Sequence, residues 1–102
     1  HAGIDITSVN KEAPVKALAS GVVIFAGERQ GYGKMVEIDH ANGYKTRYAH
    51  HRELLVQEGT IIKKGDSLGI MGDTGRSTGP HVHVEVLLNG KNVNPARFLV
   101  NN

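Results

Sequence analysis

The chain has 102 residues, 39% of them apolar and 22% charged, with no cysteine and a formal net charge of +2. That suits one compact domain with a single core and excludes disulfides and thiolate metal ligands. It also lacks the basic, aromatic-interleaved run of a nucleic-acid binder, and no apolar stretch reaches the roughly 18 residues of a membrane-spanning helix.

Thirteen glycines among few aromatics point to short strands and tight turns. The chain opens on His1-Ala-Gly-Ile-Asp5, an H-x-x-x-D run. In extended chain the two ends of that run are roughly 13 Å apart, too far for one ion. Gly3 would give the backbone freedom to bring the side chains together. Val15 to Gly27 reads as two strands turning near Ser20-Gly21, and Gly31-Tyr32-Gly33 as a turn. Met35 to Asp39 alternates as a strand, and Asn42-Gly43 favours a two-residue hairpin. The return strand, Tyr44 to His50, has Tyr44, Thr46, Tyr48 and His50 in one register. Lys45, Arg47 and Ala49 form the other, read as mostly solvated.

Glu58 to Gly72 echoes the first pair of strands, which suggests a weak internal repeat. A glycine-rich turn, Gly72 to Pro80, then leads into His81-Val-His83-Val-Glu85-Val-Leu-Leu88. Apolar residues fall at 82, 84, 86 and 88, the period of a strand buried on one face. His81 and His83 therefore leave the same face, roughly 6.6 Å apart along the strand. A turn at Asn89-Gly90 and one helical turn from Asn94 to Leu99, with Pro95 near its start, close the chain. The sum is an all-β fold of short antiparallel strands in a single domain spanning 1–102, with no linker inside it. No signal peptide is visible, and the expectation is a domain excised from a longer protein.

An isolated H-x-H pair or a terminal histidine is weak evidence, but the combination is stronger. Catalytic zinc takes three ligands from His and Asp/Glu and leaves a fourth position for water. His1, Asp5 and His83 would supply that set, leaving His50 and His81 to handle protons. Glu85 is either a partner that orients a ligand histidine or a solvated carboxylate. His40 reads as structural or exposed, and Asp39, Asp66 and Asp73 as turn residues.

Three phrases carry a family resemblance: His1-Ala-Gly-Ile-Asp5-Ile, Tyr48-Ala-His50, and Thr74-Gly-Arg-Ser-Thr-Gly-Pro-His81-Val-His83. They are similar to the three motifs of the LytM/lysostaphin-like zinc metallopeptidases, and the resemblance covers essentially the whole chain. It implies a small, strongly curved antiparallel sheet with paired hairpins and an open groove over the metal. It implies Zn²⁺ held by His1, Asp5 and His83, with His50 and His81 catalytic. Where the family usually has an apolar residue after Tyr-Ala-His, this chain has His51. The implied partner is peptidoglycan, and the implied activity is hydrolysis of its peptide cross-links, with D-Ala–diaminopimelate as the preferred bond. The implied location is the periplasm or cell envelope, with flanking inhibitory or regulatory segments in play.

Two other classes compete. The first is a binding-only family member that activates cell-wall amidases; such members usually lack one or more of the five positions, all present here. The second is a carrier or phosphotransfer β domain, suggested by the Lys63-Lys64-Gly65-Asp66 hairpin; it leaves His1 and Asp5 without a role.

Overall fold

A computed structural model describes residues 3–10, 12–72 and 80–95. His1, Asp73 and the span 74–79 lie outside the described residues, as does most of the expected helical turn after Asn94. The described residues form nine strands: β1 (Ile4–Thr7), β2 (Pro14–Lys16), β3 (Gly21–Arg29), β4 (Gly33–Ala41), β5 (Tyr44–Leu54), β6 (Ile61–Ile62), β7 (Ser67–Met71), β8 (His81–Leu88) and β9 (Lys91–Val93). All pairings are antiparallel, and the main path runs β1-β8-β5-β4-β3-β6. Strand β9 pairs with β8, while β2 pairs with β7 and β7 also with β5. The fold is all-β, as the residue pattern predicts. No helix among the described residues is long and apolar enough to cross a membrane.

The hairpin signals act where they were read. Asn42 (φ 55) and Gly43 (φ 82) both take positive φ, which gives the β4–β5 turn the twist of its strands. Asn89 (φ 53) and Gly90 (φ 84) repeat this between β8 and β9. The Asn89 N–H donates to the Gly43 carbonyl at 2.9 Å, so the two turns lean on each other. The echo between the two halves has a structural counterpart. Strand β2 pairs with β7 and β3 with β6, so each strand of the first unit meets the opposite strand of the second.

The main core lies on one side of the long strands. Val36, Ile38, Tyr48, Val82 and Val84 pack there with Val15 and Leu68 from β2 and β7. The Tyr48 hydroxyl accepts from the Leu18 N–H at 3.1 Å and bonds the Thr46 hydroxyl at 2.8 Å, which satisfies a fully buried phenol. His40 ties in to the same place. Its Nδ1 lies 2.7 Å from the Ser20 carbonyl and its Nε2 lies 2.6 Å from the Thr46 hydroxyl, so it is structural.

The opposite face of β5 is not the solvated surface expected. Ala49 is fully buried and packs with Tyr32, Met35 and Phe25 in a second, smaller cluster. Arg47 is only partly exposed, because carboxylates from the strands on either side reach it.

Candidate functional site

Register across four strands assembles the site. Asp5 of β1 stands directly opposite His83 of β8, and His83 stands opposite Ala49 of β5. One row along, Glu37 of β4 faces Arg47 of β5, which faces Glu85 of β8. Residues opposite each other in antiparallel strands share a face and lie close enough to touch. His81, His83 and Glu85 thus share one face with Asp5, and Val82, Val84 and Val86 point into the core.

His50 reaches that face through a bulge. Lys34 pairs with His51 and Val36 with Tyr48, so Ala49 and His50 both stand opposite Met35. Simple alternation puts His50 beside Tyr48, on the core side. The extra residue instead turns it to the histidine face and sends His51 inward. His50 takes φ 67, a left-handed conformation costing a non-glycine residue on the order of 1 kcal/mol. Two backbone bonds hold it there. Its N–H donates to the Tyr32 carbonyl at 2.9 Å, and its carbonyl accepts from the Gly72 N–H at 3.0 Å. This is also where β5 changes partner, from β8 to β7, so His50 sits at the fork between them.

The resulting distances are short. The His50 ring lies 6.0 Å from that of His81 and 6.3 Å from that of His83, centroid to centroid. His83 Nδ1 lies 3.0 Å from Asp5 Oδ1, and His83 Nε2 lies 3.1 Å from Glu85 Oε2. Glu85 is 1% exposed, which discards the solvated reading. Its carboxylate can only accept, so Nε2 carries the proton and donates. In a neutral imidazole the Nδ1 lone pair then faces a carboxylate oxygen at 3.0 Å. That distance suits either a second ring proton, which would let His83 donate to both carboxylates, or a cation shared by Nδ1 and Oδ1. Ligands bound at about 2.0–2.1 Å in a tetrahedral site are themselves roughly 3.3 Å apart. The donor set therefore fits a shared divalent ion, with Glu85 orienting the imidazole from behind. Among the described residues no third carboxylate, imidazole or thiolate completes the set.

The convergence of His1 and Asp5 expected through Gly3 involves His1, outside the described residues, but Gly3 has a second, visible role. It is not among the glycines of positive φ. A Cβ there would sit 2.3 Å from the Val84 carbonyl oxygen and 2.9 Å from His83 Cε1. That role is close approach, letting β1 lie against the imidazole.

Burial lowers the His50 pKa from 6.5, and the neighbouring His81 and His83 push it further down, with Asp5 opposing. His50 is thus a neutral base near neutral pH. His51 is shifted down as well, chiefly by burial; its Nδ1–H donates to the Lys34 carbonyl at 3.0 Å. It packs against Gly69, away from the other histidines.

The residue pattern gave no role to Tyr32 or Arg47. The Tyr32 hydroxyl lies 3.1 Å from Glu85 Oε1, and Arg47 Nη1 donates to that hydroxyl at 3.2 Å. Burial opposes the charge on Arg47, but Glu37, Tyr32 and Glu85 outweigh it, and the net pKa shift is upward. An aromatic flanked by two turn glycines was the signal available for Tyr32.

This sheet, with an aspartate–histidine pair and two further histidines on one face, has known counterparts. Residues 1–95 match peptidase family M23. A DD-carboxypeptidase/endopeptidase, Mpg, of Neisseria meningitidis is 47% identical over 95 residues, covering 93% of this chain and 22% of that protein. The murein hydrolase activator NlpD of Salmonella dublin is 41% identical over 98 residues, covering 95% of this chain and 26% of that protein. A zinc-containing peptidase from Vibrio cholerae superimposes with a TM-score of 0.78 at 38% identity, covering 89% of this chain and 28% of that one. The chain spans about a quarter or less of the length of these relatives. It belongs to peptidase family M23, the LytM-type metallopeptidases.

Proposed function

We propose that this chain is a zinc-dependent endopeptidase domain, spanning 1–102, that hydrolyses peptide cross-links in bacterial peptidoglycan. The observation that carries the reading is His83 Nδ1 at 3.0 Å from Asp5 Oδ1, on the same face as His50 and His81. His1, Asp5 and His83 are the proposed ligands. A zinc held by them would supply Lewis acidity and bring the pKa of a water towards neutrality. His50, kept neutral by burial and its histidine neighbours, accepts the proton of the attacking water. His81, whose ring lies 6.0 Å from that of His50, donates a hydrogen bond to the developing oxyanion. One of the two returns a proton to the leaving amine.

The D-Ala–diaminopimelate bond is the proposed target, and the name of the Mpg relative, a DD-carboxypeptidase/endopeptidase, supports it. The substrate places the domain in the periplasm or cell envelope, under the control of flanking inhibitory or regulatory segments. A second reading is a module that binds and activates cell-wall amidases, favoured by the similarity to NlpD. It leaves the proposed proton-handling pair, His50 and His81, without a task.

Metal content and release of cross-linked muropeptides, measured on wild type, Asp5→Ala and His50→Ala, separate the readings. About one zinc per chain is expected in wild type, with both zinc and cleavage lost in Asp5→Ala. His50→Ala is expected to keep its zinc and to lose roughly 10²–10⁴-fold in rate. Zinc without cleavage in wild type favours the activator. A wild type that takes up no zinc refutes the peptidase.

A further inference from the structure

Tyr32 touches both halves of the site without facing it. Its carbonyl accepts from the His50 N–H at 2.9 Å, and its hydroxyl holds Glu85 Oε1 at 3.1 Å. Glu85 in turn holds His83 Nε2 at 3.1 Å. We propose that Tyr32 is a positioning residue that sets His83 for metal binding through Glu85 while anchoring His50 through the backbone. The proposal deepens the metallopeptidase reading and rests on it.

The turn is built for this. Gly31 (φ 85) and Gly33 (φ 66) flank Tyr32 and fold the chain back tightly. The Tyr32 N–H donates to the Arg29 carbonyl at 2.9 Å, closing the turn, and the residue is 8% exposed. Its ring packs in the small cluster with Met35 and Ala49, beside the bulge.

Charge fixes the direction of the hydroxyl. Arg47 Nη1 donates to the phenol oxygen at 3.2 Å, so the phenol proton is left for Glu85. The guanidinium sits 5.7 Å from the Tyr32 ring centroid and 3.7 Å from Glu85 Oε1, and its Nε is 3.4 Å from Glu37. Arg29 closes the row on Glu37 at 3.3 Å. Two arginines and two glutamates thus balance beneath the imidazole. With Oε1 occupied by Tyr32 and Arg47, Oε2 is left for His83 Nε2–H, and that tautomer presents Nδ1 towards Asp5.

Outer partners of metal-ligating histidines change affinity by about 10–100-fold when removed. Tyr32→Phe keeps the ring and the backbone carbonyl and deletes only the hydroxyl. Zinc affinity, measured by competition with a chelator, is expected to fall about tenfold. The metal-free protein supplies the second readout. Nitrogen-15 shifts of His83, recorded at a pH where the imidazole is neutral, are expected to report the Nε2–H tautomer in wild type and a mixture in Tyr32→Phe. Glu85→Gln keeps the shape and an acceptor oxygen. With that oxygen held by Tyr32 and Arg47, its amide N–H faces His83 Nε2, so the variant is expected to lose both the Nε2–H tautomer and zinc affinity, which covers the case of a Tyr32→Phe protein that does not fold.

Unchanged affinity and unchanged His83 shifts in Tyr32→Phe, or unchanged affinity in Glu85→Gln, overturn the proposal. The tautomer readout needs neither metal nor substrate. A domain that shows the expected tautomer change but binds no zinc leaves the Tyr32–Glu85–His83 chain standing and removes the metallopeptidase reading instead.

Discussion

Two adjacent histidines, His50 and His51, leave β5 on opposite faces, and each has a different pH consequence. His51 is buried, with its Nε2 unpaired and its Nδ1–H on the Lys34 carbonyl. Burial holds its pKa below 6.5 in the folded state, while the unfolded chain keeps the ordinary value. The unfolded state therefore binds more protons over the interval between the two values. Stability from the neutral His51 is fully present above 6.5 and is lost as pH falls through 6.5 towards the folded pKa. His51→Leu removes that titration and puts an apolar side chain in a buried position. The variant is expected to hold a constant difference from wild type well above pH 6.5 and to gain on it as pH falls through 6.5, read as the difference in urea midpoint. A difference that stays flat with pH would show that His51 is not the acid-sensitive group. At neutral pH the loss of the bond to Lys34 costs the variant about 1 kcal/mol, partly offset by the added apolar burial.

At the scale of the elements, the fork in β5 decides the site. Gly72 closes it: a Cβ there would sit 2.2 Å from the His50 carbonyl oxygen and 3.3 Å from its carbon. Both are backbone atoms that cannot swing aside. Gly72→Ala is expected to cost about 1–3 kcal/mol by overpacking, a drop of roughly 5–20 °C in Tm for a domain of this size. Muropeptide release should fall further than the lost stability explains, because the displaced atoms carry His50. Full activity at a temperature where the variant is folded would refute the link between the fork and the site. The fork also marks the limit of what the residue order discloses. Strand β8 was legible because its period of two is local: Val82, Val84 and Val86 against His81, His83 and Glu85. The Asn42-Gly43 turn was legible because its φ demands are local too. The bulge at Ala49-His50 was not, since it arises where β5 leaves β8 for β7, a choice made by residues distant in the chain. Alternation therefore put His50 on the face of Tyr48, which the bulge reverses. Arg47 looked solvated for the same reason. Its two carboxylates come from β4 and β8, and only their register beside it makes burial affordable.

For the whole molecule, the site is a tie between distant parts of the chain. Asp5 and His83 are 78 positions apart, and among the described residues β1 pairs only with β8. Ile4 and Ile6 of β1 are 36% and 37% exposed, so this edge strand gains less from burial than the interior strands do. An ion shared by Asp5 and His83 would join β1 to the sheet in the folded state and have no preformed site in the unfolded one. Binding to the native state alone stabilises by about 2.7 kcal/mol at a hundredfold excess over Kd. For a domain of this length that corresponds to roughly 10–20 °C in Tm. Thermal unfolding with added zinc, compared with unfolding in chelator, is expected to show that rise for wild type. Asp5→Ala should melt at the same temperature under both conditions. Its metal-free Tm should lie close to that of metal-free wild type, because the Asp5 side chain is 65% exposed and little packing is lost. Equal melting of wild type with zinc and with chelator would refute the ion as a tie between β1 and β8. A rise that persists in Asp5→Ala would move the metal to other donors.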